Sequence, residues 1–199
     1  MTSQPHYQLS GVAEGLSHLH QCNVIHGGLK GVSDHVSRWF TVLTSGQSNI
    51  LVDAAGHARV TDFGLATVTQ DLDSIRKGLG EHGHSARWIA PEILSDRGAH
   101  SKEADVFSFA MVTIEVSCGR AAQLGLRTLE LRFCTKVFTG SIPFGDKPPH
   151  RAIRAIVGGE RPPRPANPIL TDRLWGLIQR CWDQDIRRRP RALRLSCSL

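Results

Sequence analysis

Apolar residues recur at helical spacing near the start of the chain. Leu9, Val12, Leu16 and Leu19 lie three or four residues apart, with Ala13 on the same face, so residues 8–20 predict an amphipathic helix. Gln21, Cys22 and Asn23 end it, and Val24–His26 enters extended chain. Asn49–Asp53 and Ala58–Thr61 are short β-prone runs, and the intervening Ala-Ala-Gly-His supplies a turn, so the pair predicts a β-hairpin. Residues 65–87 show weak periodicity and many Gly, Ser, Thr and His positions, which predicts a long loop. Ala104–Val116 is apolar almost all round, as a fully buried helix is. Ile153–Val157 is a short helical candidate. Leu170, Leu174, Leu177, Ile178, Cys181 and Trp182 mark a later helix, with Thr171 or Asp172 at its start. The pattern predicts an α+β chain, mostly α, with one small hairpin and no internal repeat.

Composition narrows this reading. At 199 residues the chain fits one domain that can bury a core. The longest apolar runs are far too short to span a bilayer, so no membrane is expected, and the first residues lack the basic-then-apolar order of a secretory signal. The five cysteines are odd in number and form no C-x-x-C pair, which fits a reducing, cytoplasmic setting better than a disulfide framework or structural zinc. The net charge of +6 is concentrated at the end, where Arg187, Arg188, Arg189, Arg191 and Arg194 crowd the last thirteen residues without interleaved aromatics. That reads as a solvated basic tail, and no nucleic-acid partner is expected.

The candidate chemistry lies in three ordered stretches. The first is V-I-H-G-G-L-K-G, Val24–Gly31. The second is S-N-I-L-V-D, Ser48–Asp53, and the third is V-T-D-F-G-L-A, Val60–Ala66. Downstream come S-A-R-W-I-A-P-E (Ser85–Glu92), D-V-F-S-F-A from Asp105 and C-W-D-Q-D-I-R-R-R-P from Cys181. This order resembles the large, helical C-terminal lobe of a protein kinase across most of the chain. The Lys at position 30 and the G-H-S-A-R-W-I-A-P-E run resemble the tyrosine-kinase-like group of serine/threonine kinases.

The resemblance implies ATP and Mg²⁺ as cofactors and a protein substrate or protein partner. It implies Asn49 and Asp62 as metal ligands and Lys30 beside the transferring phosphoryl group. It places Asp62, Phe63, Gly64, Ser85, Ala90, Pro91 and Glu92 in the activation segment, with Ser85 a position where phosphorylation can occur. It makes His26 a buried structural residue, Asp105 the anchor of the catalytic-loop backbone, and Arg189 the buried partner of Glu92. The chain departs from the family pattern at Gly28, where the catalytic Asp is expected, and a general base of that kind contributes roughly 10²- to 10⁴-fold. The N-terminal lobe is also missing: no G-x-G-x-x-G or V-A-I-K precedes the first helix. Gly78, Gly80 and Gly83 fall inside the activation segment, too far downstream to substitute. These departures imply a partial kinase domain over residues 1–199, truncated and inactive as written. The alternatives are a pseudokinase scaffold and a defective gene product.

Two segments interrupt the pattern. Removing residues 32–47 leaves H-G-G-L-K-G-S-N-I-L-V-D, with Asn49 five places after Gly28, the family spacing. Removing residues 116–136 leaves M-V-T-I-E-V-F-T-G-S-I-P-F, again continuous with the family. Both segments begin Val-Ser, which the splice-donor sequence GTGAGT encodes in frame, and both end in a residue whose codon can end in AG. They read as insertions, possible translated introns of sixteen and twenty-one codons.

Overall fold

The structure is a computed structural model that describes residues 5–30, 49–52, 57–62, 85–95, 97–117, 142–166 and 170–197. Its elements in chain order are α1 (Pro5–Gln21), β1 (Ile50–Val52), β2 (Ala58–Val60), a 3₁₀ turn at Ser85–Trp88, α2 (Pro91–Leu94) and α3 (Lys102–Ser117). They continue with α4 (Pro149–Val157), α5 (Asp172–Cys181), a second 3₁₀ turn at Ile186–Arg188 and α6 (Leu193–Ser196). β1 and β2 pair antiparallel, Ile50 opposite Val60 and Val52 opposite Ala58. Mostly helical with one hairpin is the expected class.

The local starts and stops have simple causes. α1, α2 and α4 each open on a proline, whose fixed φ suits the first helical position and whose missing N–H is no loss there. This explains why α1 starts three residues before the predicted helix, and why α4 starts at Pro149 rather than Ile153. α1 ends in a left-handed cap: Asn23 takes φ 58°, and the Val24 amide reaches back to the Leu19 carbonyl at 2.8 Å. α4 ends the same way with Gly159 at φ 88° and the Glu160 amide on Ala155. At α5 the hydroxyl of Thr171 accepts from the Leu174 amide at 3.2 Å, so Thr171 is the cap.

α3 is the centre. Ala104, Val106, Phe107, Phe109, Ala110, Met111, Val112 and Ile114 are all buried, and residues 104–115 of this helix have no solvent face. Burying Phe107, Phe109, Met111 and Ile114 contributes about 1.5–3 kcal/mol each over exposure. α1, α5 and the first 3₁₀ turn pack around α3, and α4 packs on α2 and that turn. The hairpin rests on α1 through Gly11 and Gly15. A Cβ at Gly11 would sit 2.7 Å from the Ala58 carbonyl oxygen, so glycine is what lets β2 approach the helix. α6 closes the bundle against α1.

The first interrupting segment, 32–47, lies outside the described residues. Of the second, 116–136, only Val116 and Ser117 are described, and they continue α3 by two residues. Phe63 and Gly64 also lie outside the described residues, as does most of the stretch read as a long loop.

Candidate active site

The left-handed cap at Asn23 turns the chain from α1 toward the first turn of α3. There Asp105, almost fully buried, accepts the His26 amide at 2.9 Å on Oδ2 and the Gly27 amide at 2.8 Å on Oδ1. Two backbone donors on one carboxylate are charge-assisted bonds, and they fix the direction of the loop. His20 from α1 adds a third contact, with Nε2 donating to Asp105 Oδ2 at 2.8 Å. Lys102 ties the same corner together, donating to the His20 carbonyl at 2.7 Å and to Asn23 Oδ1 at 2.8 Å.

His26 joins the loop to the hairpin. Its Nε2 donates to the Thr61 carbonyl at 2.9 Å, and its Nδ1 accepts the Gly28 amide at 3.2 Å. One donor and one acceptor require the neutral ring. Burial also lowers the pKa of His26 below its ordinary 6.5, against the opposing charge of Asp105. Asn49 makes the second join. Its side-chain amide donates to the Gly28 carbonyl, while its backbone carbonyl accepts the Thr61 amide at 2.9 Å. Gly28, Asn49 and the end of β2 are thus brought together although residues 29–48 intervene between the first two in sequence.

Around this centre the remaining site residues take different places. Lys30 is half-buried; desolvation lowers its pKa and the nearby negative charge of Asp62 opposes that shift. Asp62 follows β2, exposed, with the left-handed φ of 56° that Asp tolerates better than most residues. Among the described residues, a Cβ placed on Gly28 meets Asn49 Nδ2 at 3.4 Å, an ordinary contact. Ser85 opens the 3₁₀ turn, while Ala90 and Pro91 are buried at the head of α2. Glu92 and Arg189 form a two-pronged pair, Nη1 to Oε1 at 2.7 Å and Nη2 to Oε2 at 2.8 Å. Arg189 Nη1 also donates to the Glu103 carbonyl at 3.2 Å, which ties this pair to the first turn of α3.

Several participants were not singled out from the sequence. His20 sits four residues after Leu16, on the apolar face of α1, and a polar side chain there is a readable sign of a buried bond. Lys102 has no such sign. Arg161 was missed too. It stacks on Phe107 at 5.1 Å while Arg189 stacks on the same ring at 5.2 Å. Burial and the charge of Arg189 hold Arg161 down at about 10.

Asn49 and Asp62 supply oxygen, the donor Mg²⁺ prefers. The Asn49 amide nitrogen is committed to Gly28, so its Oδ1 is the atom suited to a cation. Both side chains are thus of the chemical type that a magnesium ion takes as ligands.

The family profile for protein tyrosine and serine/threonine kinases matches residues 45–199. The chain belongs to the protein kinase family. Among relatives of this kinase-family chain, serine/threonine-protein kinase STY17 of Arabidopsis thaliana is 29% identical over 182 residues, covering 90% of this chain and 24% of the relative. The probable serine/threonine-protein kinase drkD of Dictyostelium discoideum is 31% identical over 180 residues, 89% of this chain and 10% of the relative. Serine/threonine-protein kinase VIK of Arabidopsis thaliana is 31% identical over 185 residues, 90% of this chain and 33% of the relative. The chain therefore spans between a tenth and a third of the length of these kinases. No described helix is long and apolar enough to cross a membrane.

Proposed function

We propose that this chain is the large lobe of a serine/threonine protein kinase that does not transfer phosphate as the 199-residue chain stands. The observation that carries the reading is Gly28. The loop around it is built and anchored by Asp105, His26 and Asn49, yet position 28 offers no carboxylate to a substrate hydroxyl. Lys30 would stand beside the transferring phosphoryl group, and Asn49 Oδ1 and the Asp62 carboxylate would hold magnesium. That ion, bound with ATP, supplies neutralisation of phosphate charge. This reading assigns no residue of the chain to covering the ATP phosphates, since no V-A-I-K occurs in it and Gly78, Gly80 and Gly83 fall in the activation segment. Thermal shift with ATP, with and without Mg²⁺, tests the site. A magnesium-dependent rise in melting temperature that Asp62→Ala removes supports a nucleotide-binding lobe, and no shift favours a binding scaffold that acts through its helical surface.

Residues 32–47 and 116–136 are, on the same reading, insertions translated from introns. The Gly28–Asn49 contact, which brings the two flanks of the first segment together, supports this for residues 32–47. Transcript sequencing decides: mature messages lacking both segments support it, and mature messages retaining both defeat it.

A further inference from the structure

The first 3₁₀ turn holds a buried guanidinium that the candidate active site does not use. Arg87 is 2% exposed. Its Nη1 donates to the carbonyls of Pro143, at 3.0 Å, and of Phe144, and its Nη2 donates to the carbonyl of Lys147 at 2.7 Å. Three carbonyls of one turn converge on one fork, a geometry that a lysine ammonium cannot reproduce. Its Nε is buried with no hydrogen-bond partner, so the side chain is placed by its Nη groups at the cost of that donor.

The turn it grips is itself unusual. Phe144 is buried, bulky and not glycine, yet takes φ 55°, a conformation that persists only where surroundings impose it. The Lys147 amide returns to the Phe144 carbonyl at 2.9 Å, and Lys147 lies over the Phe144 ring. The turn then leads through Pro148 directly into α4. On the other side, Trp88 is fixed to α3: Ser108 Oγ donates to its carbonyl at 2.7 Å, and its indole Nε1 donates to buried Glu115 at 3.2 Å. The Ala90 carbonyl, two residues on, accepts the Ile93 and Leu94 amides that start α2.

We propose that Arg87 is a positioning residue, a clasp that holds the 143–147 turn in its left-handed form and couples the Ala-Pro-Glu end of the activation segment to α4. The two then open and close together, so an event on either one reaches the other. Coupling of this sort is reciprocal and needs an element that both sides bias. The clasp stands on geometry alone and holds whether or not the chain transfers phosphate.

Amide hydrogen exchange on the full chain tests it. Arg87→Lys keeps the charge and most of the stem, so the chain folds. Exchange at the Lys147, Arg151 and Ala152 amides is expected to rise about tenfold or more, with Trp175 and Trp182 in and after α5 unchanged within about twofold. Pro149→Gly, which loosens the first turn of α4, is expected to speed exchange at Ile93 and Leu94 in the natural background and to lose most of that effect in the Arg87→Lys background. Natural exchange at Lys147, Arg151 and Ala152 in Arg87→Lys overturns the clasp, and so does a uniform rise across α5. Equal transmission from Pro149→Gly in both backgrounds overturns the coupling.

Discussion

Replacing Glu92 with alanine strands a buried guanidinium. Arg189 has a side chain with no solvent exposure, and Glu92 is 16% exposed. The pair loses two charge-assisted hydrogen bonds, at 2.7 and 2.8 Å. Arg189 keeps its Nε bond to the Asp183 carbonyl at 2.9 Å and its Nη1 bond to the Glu103 carbonyl at 3.2 Å, so it is not left wholly unsatisfied. Arg161, stacked on the other contact of Phe107, raises the cost, because Glu92 also offsets its charge. Breaking one side of a buried ion pair costs about 3–5 kcal/mol, and the partial exposure of Glu92 puts Glu92→Ala near the lower end, about 3 kcal/mol. Glu92→Gln keeps one acceptor oxygen and loses about half of that. At about 2–4 °C per kcal/mol for a chain of this size, Glu92→Ala lowers the melting temperature by roughly 6–12 °C. The assay is urea unfolding followed by tryptophan fluorescence, with Arg189→Ala and the double variant completing a cycle. A coupling energy below about 0.5 kcal/mol, or a Glu92→Ala loss under about 1 kcal/mol, refutes the reasoning.

Three further outcomes follow from the packing and the titrating groups. Gly11→Ala should destabilise by about 1–3 kcal/mol despite the better helix propensity of alanine, because the new methyl meets the Ala58 carbonyl oxygen at 2.7 Å; an unchanged or higher melting temperature contradicts this. Burial lowers the pKa values of His26 and His100 below 6.5, so the unfolded chain binds more protons just under that value. Stability should be full above about pH 6.5 and fall as pH drops toward the lowered values. His100→Gln should make the fall between pH 8 and 5 shallower, and a melting temperature that rises on acidification would be the wrong sign. Cys22 and Cys197 are exposed, whereas burial pushes the Cys181 thiol up to about 12. Mass-mapped alkylation at neutral pH should label the first two in the native chain and Cys181 only in denaturant, and native labelling of Cys181 would contradict its burial.

How much of this was legible in the sequence depended on whether a contact leaves a local trace. The helical faces of α1 and α5 repeat within a few residues, so periodicity places them, and α3 is marked instead by an apolar run with no polar face. The hairpin is legible because β-prone runs flank a turn. Boundaries were read late at α1 and α4, where a proline rather than an apolar residue makes the first turn. α6 is a single turn with one buried residue, Leu195, too short for any period to register. The site is different in kind. Glu92 and Arg189 are 97 residues apart, and Asp105 lies 79 residues from His26; nothing local links either pair, and only the ordered family motifs brought them to notice. Gly11 and Gly15 look like weak points in a helix until the hairpin is seen lying on them. Arg87 stands inside a family motif, but its grip on the 143–147 turn carried no sign, since its partners are backbone carbonyls that every residue type supplies.

The central claim is that the built loop around Gly28 lacks the groups needed for phosphate transfer. Positioning and electrostatics supply most of that catalysis, so on the proposed reading the carboxylate that Gly28 does not offer is not made up elsewhere in these residues. The most direct measurement is incorporation of radiolabelled phosphate from ATP into a general protein substrate by the purified chain. The account predicts incorporation at background, unchanged by Gly28→Asp alone. Robust incorporation by the natural chain that Asp62→Ala abolishes would contradict it.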